Sequence, residues 1–392
     1  MRWHGARRRE KEFLSSLETE ILREGTTPNV PFSGGWVGFV SYEALTSEED
    51  VRPRDAHPSE PAAFFARHRA GVLVDPRGAV TTFGAPERPL IRPSATFSPA
   101  AERGATRPTL PLAPPAEPRR TIADSLGGGA HARLVERIRE AIRDGDVYQV
   151  NITRAFTADC GADAAELYRV LTGSSPPRSS AFLRGPDWTI VSASPEVLLD
   201  FDRVRGIADS RPIKGTVRRT NDDRADVAAL LASDKDAAEH LMIVDVVRND
   251  FGKIAPPGSV SVPEYRALHT LEHVHHLEST VRASGLGDAS TADVLAALSP
   301  AASITGAPKR AAVHMIRELE PVPRGVYCGA IGTIRPDGAT FSVAIRTAVV
   351  TETSVRYHAG GGIVWDSDAA AEDDESLAKS EAFLRYVGAE VW

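Results

Sequence analysis

Several short stretches carry side chains that could do chemistry. RPIKGTVRR (residues 211–219) sets one lysine, Lys214, between Arg211 and the pair Arg218-Arg219. A lysine that reacts must be neutral at work, and neighbouring positive charge favours loss of its proton. A lysine that holds an anion, or only faces solvent, needs no such help. AEDDESLAK places Glu372, Glu375 and Lys379 at i, i+3 and i+7, along one helix face. That face reads either as a solvated, salt-bridged surface or as a site for Mg²⁺, which takes few carboxylates and keeps several waters. Glu239 in DAAEHLMIVD lies on a strongly apolar helix, where a lone carboxylate needs a partner or a ligand. Glu196 in SPEVLLDF stands just before an apolar strand, as a strand-end residue or as a partly buried acid with a raised pKa.

Other groups are open in the same way. HTLEHVHHLEST holds His269, His273, His275 and His276, which raises a zinc site. Strand alternation puts His273 and His275 on one face and His276 on the other, with no cysteine pair nearby, so sheet histidines or one catalytic histidine compete with zinc. SITGAPKRAAVHMIRELEP reads as a turn at Gly306 and a helix opening at Pro308; the free N–H groups of such a start can hold an anion. AGGGIV (359–364) reads as a turn whose backbone donors could serve an anion. Arg346, opposite in strand phase to Val343 and Ile345, is a carboxylate clamp or an exposed strand arginine.

These residues need elements to hold them. HARLVERIREAIRDG puts Leu134, Ile138, Ala141 and Ile142 on one helical face, and Gly145 stops the helix. DVYQVNITRAF alternates as a strand, with Tyr148, Val150 and Ile152 on one side and Gln149, Asn151 and Thr153 on the other. Further helices are expected near 163–172, 223–232, 235–248, 290–298, 308–319 and 369–386. Strand-like runs are WTIVSAS, EVLLDF, HVHHLESTVRA, CGAIGTI, ATFSVAIRTAVV and SVRYHAGGGIVW. The Asp75-Pro76-Arg77-Gly78 and Pro336-Asp337-Gly338 turns make hairpins, so the fold class is α+β, with layered, largely antiparallel β-sheets and flanking helices. The Pro- and Ala-rich stretch 86–118 reads as a linker. It divides a short N-terminal subdomain (1–118) from a second domain (119–392).

Composition narrows the function class. The chain has 392 residues, 42% of them hydrophobic, enough for a large core. A formal charge of −7 gives no global field toward nucleic acid or anionic membrane. Two cysteines, Cys160 and Cys328, argue for a reducing compartment. No stretch approaches the roughly 18 apolar residues of a membrane helix, and the Arg-rich start lacks a signal-peptide core. A cytoplasmic protein is expected.

Taken in order, GDVYQVN, SASPEVLL, RPIKGT, DAAEHLMIVDVVRNDFG, VHHLEST, SITGAPKRAAVHMIRELEP, YCGAIG, AIRT, AGGGIV and the Glu372/Glu375/Lys379 helix resemble the chorismate-utilising enzymes. The resemblance runs from about Pro31 to the C-terminus. It implies chorismate held beside Mg²⁺, with Glu239 and Glu375 as ligands and Glu372 close by. Arg346, Tyr327 and the backbone of Gly360, Gly361 and Gly362 would hold the enolpyruvyl carboxylate, assisted by Thr305 and Lys379. Glu196 would protonate the departing C4 hydroxyl, and His276 matches the family's active-site histidine.

Two positions separate the branches. Isochorismate and salicylate synthases carry a water-activating lysine where this chain has Gln149. Anthranilate synthases typically have Ala where it has Lys214, which in the branch that aminates chorismate at C4 attacks C2 and expels the C4 hydroxyl. The resemblance therefore implies C4 amination, toward para-aminobenzoate and folate, with ammonia from a separate glutamine amidotransferase subunit. C2 amination to anthranilate is the alternative, and a non-catalytic chorismate binder a further one. The segment ahead of PFSGGWVGF is short, so the tryptophan pocket that the family's N-terminal strands help build is not expected.

Overall fold

The computed structural model describes residues 34–46, 61–68, 71–74, 80–83, 122–159, 161–173, 176–271 and 274–388, with Arg2, Trp3 and Leu17. The linker proposed at 86–118, His273, Cys160 and the turn at Asp75 lie outside the described residues.

Two large sheets and flanking helices make up the α+β fold. The first sheet has ten strands. Its spine runs Gly35–Val40, Ala330–Arg335, Gly338–Val343, Val197–Asp202, Ile207–Arg211, Val274–Ala283 and Ile213–Arg218. The second has seven strands and centres on Gln149–Ala158 beside Val355–Ile363, followed by Thr347–Val350, Thr189–Ser192 and Ala181–Arg184. The strands pair antiparallel throughout, as in the Ala330/Gly338 hairpin, where Arg335 faces Gly338 across the Pro336-Asp337 turn. Gly71–Val74 and Val80–Phe83 form a separate hairpin. Gly35–Val40 and Ala63–His68 extend the same sheet that carries the Val197 strand.

The helices follow the expected pattern closely. Ala130–Asp144 ends at Gly145, which takes φ 85°, a left-handed cap that favours glycine. Its buried face is His131, Val135, Ile138 and Ala141, one step round from the expected stripe, with Leu134 and Ile142 half-buried beside it. Asp234–Gly252 starts at a Ser233 cap and buries Glu239 and His240 with Ile243, Val244 and Val247. Lys309–Leu319 begins one residue after Pro308, and Ala369–Tyr386 is capped by Asp368.

Three strand expectations change. Gln149–Ala158 is central and buried on both faces, so its polar residues face protein; Tyr148 lies just outside it, 68% exposed. ATFSVAIRTAVV is two strands in different sheets, broken where Arg346 adopts φ 49°. AGGGIV, a turn when taken alone, follows instead the strand expected of SVRYHAGGGIVW: residues 359–363 lie in Val355–Ile363, paired residue by residue with Gln149–Ala158. Glycine is required there by close approach: a Cβ on Gly360 would come within 2.0 Å of the Ile152 carbonyl.

Candidate active site

The strand Ile213–Arg218 brings Lys214 to the site through a β-bulge. Ile213 pairs with Glu278 and Thr216 with His276, so two residues, Lys214 and Gly215, oppose one. Gly215 takes φ 85°, and a Cβ on it would crowd Leu230 at 3.2 Å. The bulge turns the lysine toward the Asp234–Gly252 helix, where its Nζ donates to Glu239 Oε2 at 2.7 Å. The arginines around it point elsewhere: Arg219 grips Asp223 and Arg211 lies beside Asp209. The lysine's immediate electrostatic neighbour is thus a carboxylate rather than the cationic cluster its sequence neighbours suggested.

Glu196 sits buried at the start of the Val197 strand, and Ser303 Oγ donates to its Oε1 at 2.6 Å. Burial pushes its carboxyl up to about 7, against the opposing pull of Ser303 and Lys214 and with help from Glu278. A carboxyl in that range holds a proton at neutral pH and can give it away. His276 is buried on the Val274 strand, its ring 5.5 Å from that of His269. Burial first, then His269, Arg346 and Arg178, push His276 down to about 4, so its imidazole is neutral at pH 7.

Two helices meet where Lys235 approaches Glu372. On Asp234–Gly252, Lys235 and Glu239 are one turn apart; on Ala369–Tyr386, Glu372 and Glu375 point the same way. Lys235 lies 3.8 Å from Glu372, whose Oε1 accepts from Ser367 Oγ at 2.7 Å. Lys379 donates to Glu375 Oε1 at 2.7 Å and to the Gly360 carbonyl at 2.9 Å. Burial raises the Glu372 carboxyl, while for Glu375 Lys379, Lys214 and Lys235 outweigh burial and lower it. Each of the three glutamates is therefore matched by its own lysine.

Gly361 forms the floor between them: a Cβ there would lie 3.2 Å from Glu372 Oε2 and 3.9 Å from Glu375 Oε1. Two carboxylates beside a bare glycine strand, with no sulfur or imidazole next to them, are donors of the kind a hard divalent cation such as Mg²⁺ takes. In the present side-chain arrangement they do not close on one point. Among the described residues the only trio that does is Asp223, Asp226 and His275. That trio is already answered, since Asp223 binds Arg219 and Asp226 accepts from Thr220.

The remaining expected residues surround this floor. Gln149 is fully buried, and neither atom of its amide has a hydrogen-bond partner. It lies over Gly362, where a Cβ would be 2.2 Å from its Nε2. Tyr327 is buried and stacks on His358 with ring centroids 5.2 Å apart. Arg346 is exposed and makes no ion pair among the described residues, so its charge remains available to an anion. Thr305 is fully buried, and its hydroxyl donates to the Ala301 carbonyl at 2.8 Å, so that group is spent on its own turn. The Gly360–Gly362 backbone is half committed: one edge pairs with Gln149–Ala158, while Thr347–Val350 pairs on the other edge only as far as Tyr357.

Two residues of this region escaped the sequence reading. Ser303 stands two places before Thr305 in the SITGAPK run, and its hydroxyl was the available signal. Glu278 is buried and shares the strand face of His276, two residues away, with His269 Nε2 at 3.7 Å.

Residues 3–385 match the family described as chorismate binding enzyme. The chain belongs to that family. It is 36% identical to anthranilate synthase component 1 of Streptomyces coelicolor, over 95% of this chain and 77% of that one. It is 35% identical to aminodeoxychorismate synthase component 1 of Salmonella typhimurium, over 94% of this chain and 80% of the relative. Among solved structures, anthranilate synthase component I from Streptococcus pneumoniae superposes with a TM-score of 0.79 at 28% identity, covering 94% of this chain and 84% of that one. Relatives named anthranilate synthase and aminodeoxychorismate synthase thus stand at nearly equal identity to this chain.

Proposed function

We propose that this chain aminates chorismate at C4, giving 4-amino-4-deoxychorismate, as the synthase component of a pair whose partner supplies ammonia from glutamine. The observation that carries the reading is Lys214, turned by its bulge into the same space as Glu196 and Glu239. An amine there can act on the substrate ring, and a protonated Glu196 can receive the leaving oxygen. The Lys214 amine attacks C2, the ring double bonds shift, and the C4–O bond breaks with the Glu196 proton leaving in water. Ammonia then forms the C4–N bond, the double bonds shift back, and the lysine departs from C2; one proton returns to Glu196. Chorismate plus ammonia thus becomes product plus water.

The other residues bind and orient. Arg346 and the open edge of the glycine strand suit the enolpyruvyl carboxylate, with Tyr327 packed beneath. Glu239 and Glu375, with Glu372 near, would hold Mg²⁺, which when bound would neutralise the ring carboxylate. Gln149, a neutral amide, cannot activate water as a lysine does, which disfavours hydration of the ring. His276 offers a neutral hydrogen-bonding group.

Anthranilate formation is the second reading, favoured by the similarity to the Streptomyces coelicolor relative. Lys214→Ala tests the lysine's part in the first reading: loss of at least about 100-fold in C4 amination is expected, and an undiminished rate would remove the lysine from the chemistry.

A further inference from the structure

Lys214 is only as useful as the bulge that aims it, and a bulge frees backbone groups from the sheet ladder. The Lys214 carbonyl is such a group. It lies 3.0 Å from His240 Nδ1, on the residue that follows Glu239. A carbonyl only accepts, so Nδ1 carries the proton and Nε2 of the neutral ring is left as an acceptor. Ser279 Oγ sits 2.6 Å from Nε2 and supplies that donor, while itself accepting from the Arg266 N–H at 2.9 Å.

The partners of this chain are as irregular as Lys214. The strand Val260–Thr270 bulges between Glu264 and Ala267, and Arg266 takes φ 51° there. Ser279 lies opposite that bulge, and its N–H donates to the Pro212 carbonyl at 3.1 Å. Tyr265 meets the His240 ring edge-on, 5.6 Å between centroids, and closes its open side. Two bulges on the two neighbours of one strand are thus locked together through a single buried imidazole.

We infer that His240 is a positioning residue for Lys214: its Nδ1–H fixes the carbonyl of the bulge and so the direction from which the amine enters the site. This rests on the reading of Lys214 given above. Glu239 and His240, adjacent on the helix, hold the two ends of the same lysine, one the side-chain nitrogen and the other the carbonyl. The device acts on orientation and needs no change of charge on the ring.

Asparagine and glutamine separate the two nitrogens, because Asn carries its amide N–H near the Nδ1 position and Gln carries its own near Nε2. The test measures kcat and KM for ammonium-dependent C4 amination in His240→Asn, His240→Gln, His240→Leu and Lys214→Ala. It also follows acetylation of Lys214 by a soluble acetyl N-hydroxysuccinimide ester, read by peptide mass spectrometry against the exposed Lys235 in the same chain. Gln and Leu are expected to lower kcat about 100-fold, the scale of a misplacement near 1 Å, with KM for chorismate within about threefold. Asn is expected to recover most of that loss. Acetylation of Lys214 relative to Lys235 changes in Gln and Leu and stays at the native ratio in Asn.

Equal losses in Asn and Gln, or one acetylation ratio across the native chain and all three His240 variants, would overturn the assignment. Should the Leu variant not fold, Asn against Gln still decides, since both keep a polar side chain. Undiminished amination by Lys214→Ala would instead remove the catalytic reading, and the acetylation ratios alone would then judge the positioning.

Discussion

Glu196 is where burial and chemistry meet most directly. Its raised pKa has one main cause, the loss of water around the charge, and Ser303 and Lys214 only partly offset it. A general acid must be protonated, so the amination rate should fall as pH rises through about 7, while the supply of free ammonia rises with pH. With glutamine-independent ammonia held constant, the profile should show a single falling limb there. Glu196→Gln should lower kcat and abolish that limb; a limb kept at the same pH would assign it to another group. The stability consequence has a fixed sign. A folded pKa raised from 4.5 to about 7 contributes stability that is full below 4.5 and is lost as pH rises through 7. Glu196→Gln should therefore be more stable than the native chain at pH 8, by up to about 3 kcal/mol, and no more stable at pH 4. Urea denaturation at the two pH values reads the difference, and a native chain that holds its stability from pH 5 to 8 would contradict it.

Elements explain which parts of this could be read from the sequence. Helix periods and caps placed Ala130–Asp144, Asp234–Gly252 and Ala369–Tyr386 within a few residues, because local pattern and capping decide a helix. The strands were harder. Alternation fails on Gln149–Ala158, which is covered on both faces, and RPIKGTVRR has no apolar rhythm because a bulge shifts its phase. AGGGIV alone looked like a turn because three glycines usually make one, while the longer SVRYHAGGGIVW run read correctly as a strand; nothing local reveals that a second backbone lies 2 Å from where a Cβ would be. Of the site, the residue types were legible and the pairings were not: Lys214 with Glu239 and Glu196 with Ser303 span 25 and 107 positions. The glycine strand carries its own prediction. Gly360→Ala must push apart Gly360 and Ile152, at a cost of about 1–3 kcal/mol or more. A thermal melt should show a clear drop, whereas a neutral result would mean the two central strands are not so close.

At the scale of the molecule, the Ala369–Tyr386 helix sets Glu372, Glu375 and Lys379 over the glycine strand, and Lys235 of the Asp234–Gly252 helix reaches Glu372. No described helix is long and apolar enough to cross a membrane. Because Glu239 and Glu375 come from different helices, a divalent cation between them would tie the two together. Glu239→Gln and Glu375→Gln should each raise the Mg²⁺ concentration for half-maximal activity by tenfold or more, on the order of one lost charged ligand. An unchanged Mg²⁺ requirement in both would place the metal elsewhere. In the proposed reading the choice of product rests on Lys214, Glu196 and Gln149 together, and one measurement addresses it. Purified protein is given chorismate, ammonium and Mg²⁺, and the products are separated and identified by mass. 4-Amino-4-deoxychorismate with the enolpyruvyl group retained is the expected product; anthranilate with an equivalent of pyruvate would contradict C4 amination.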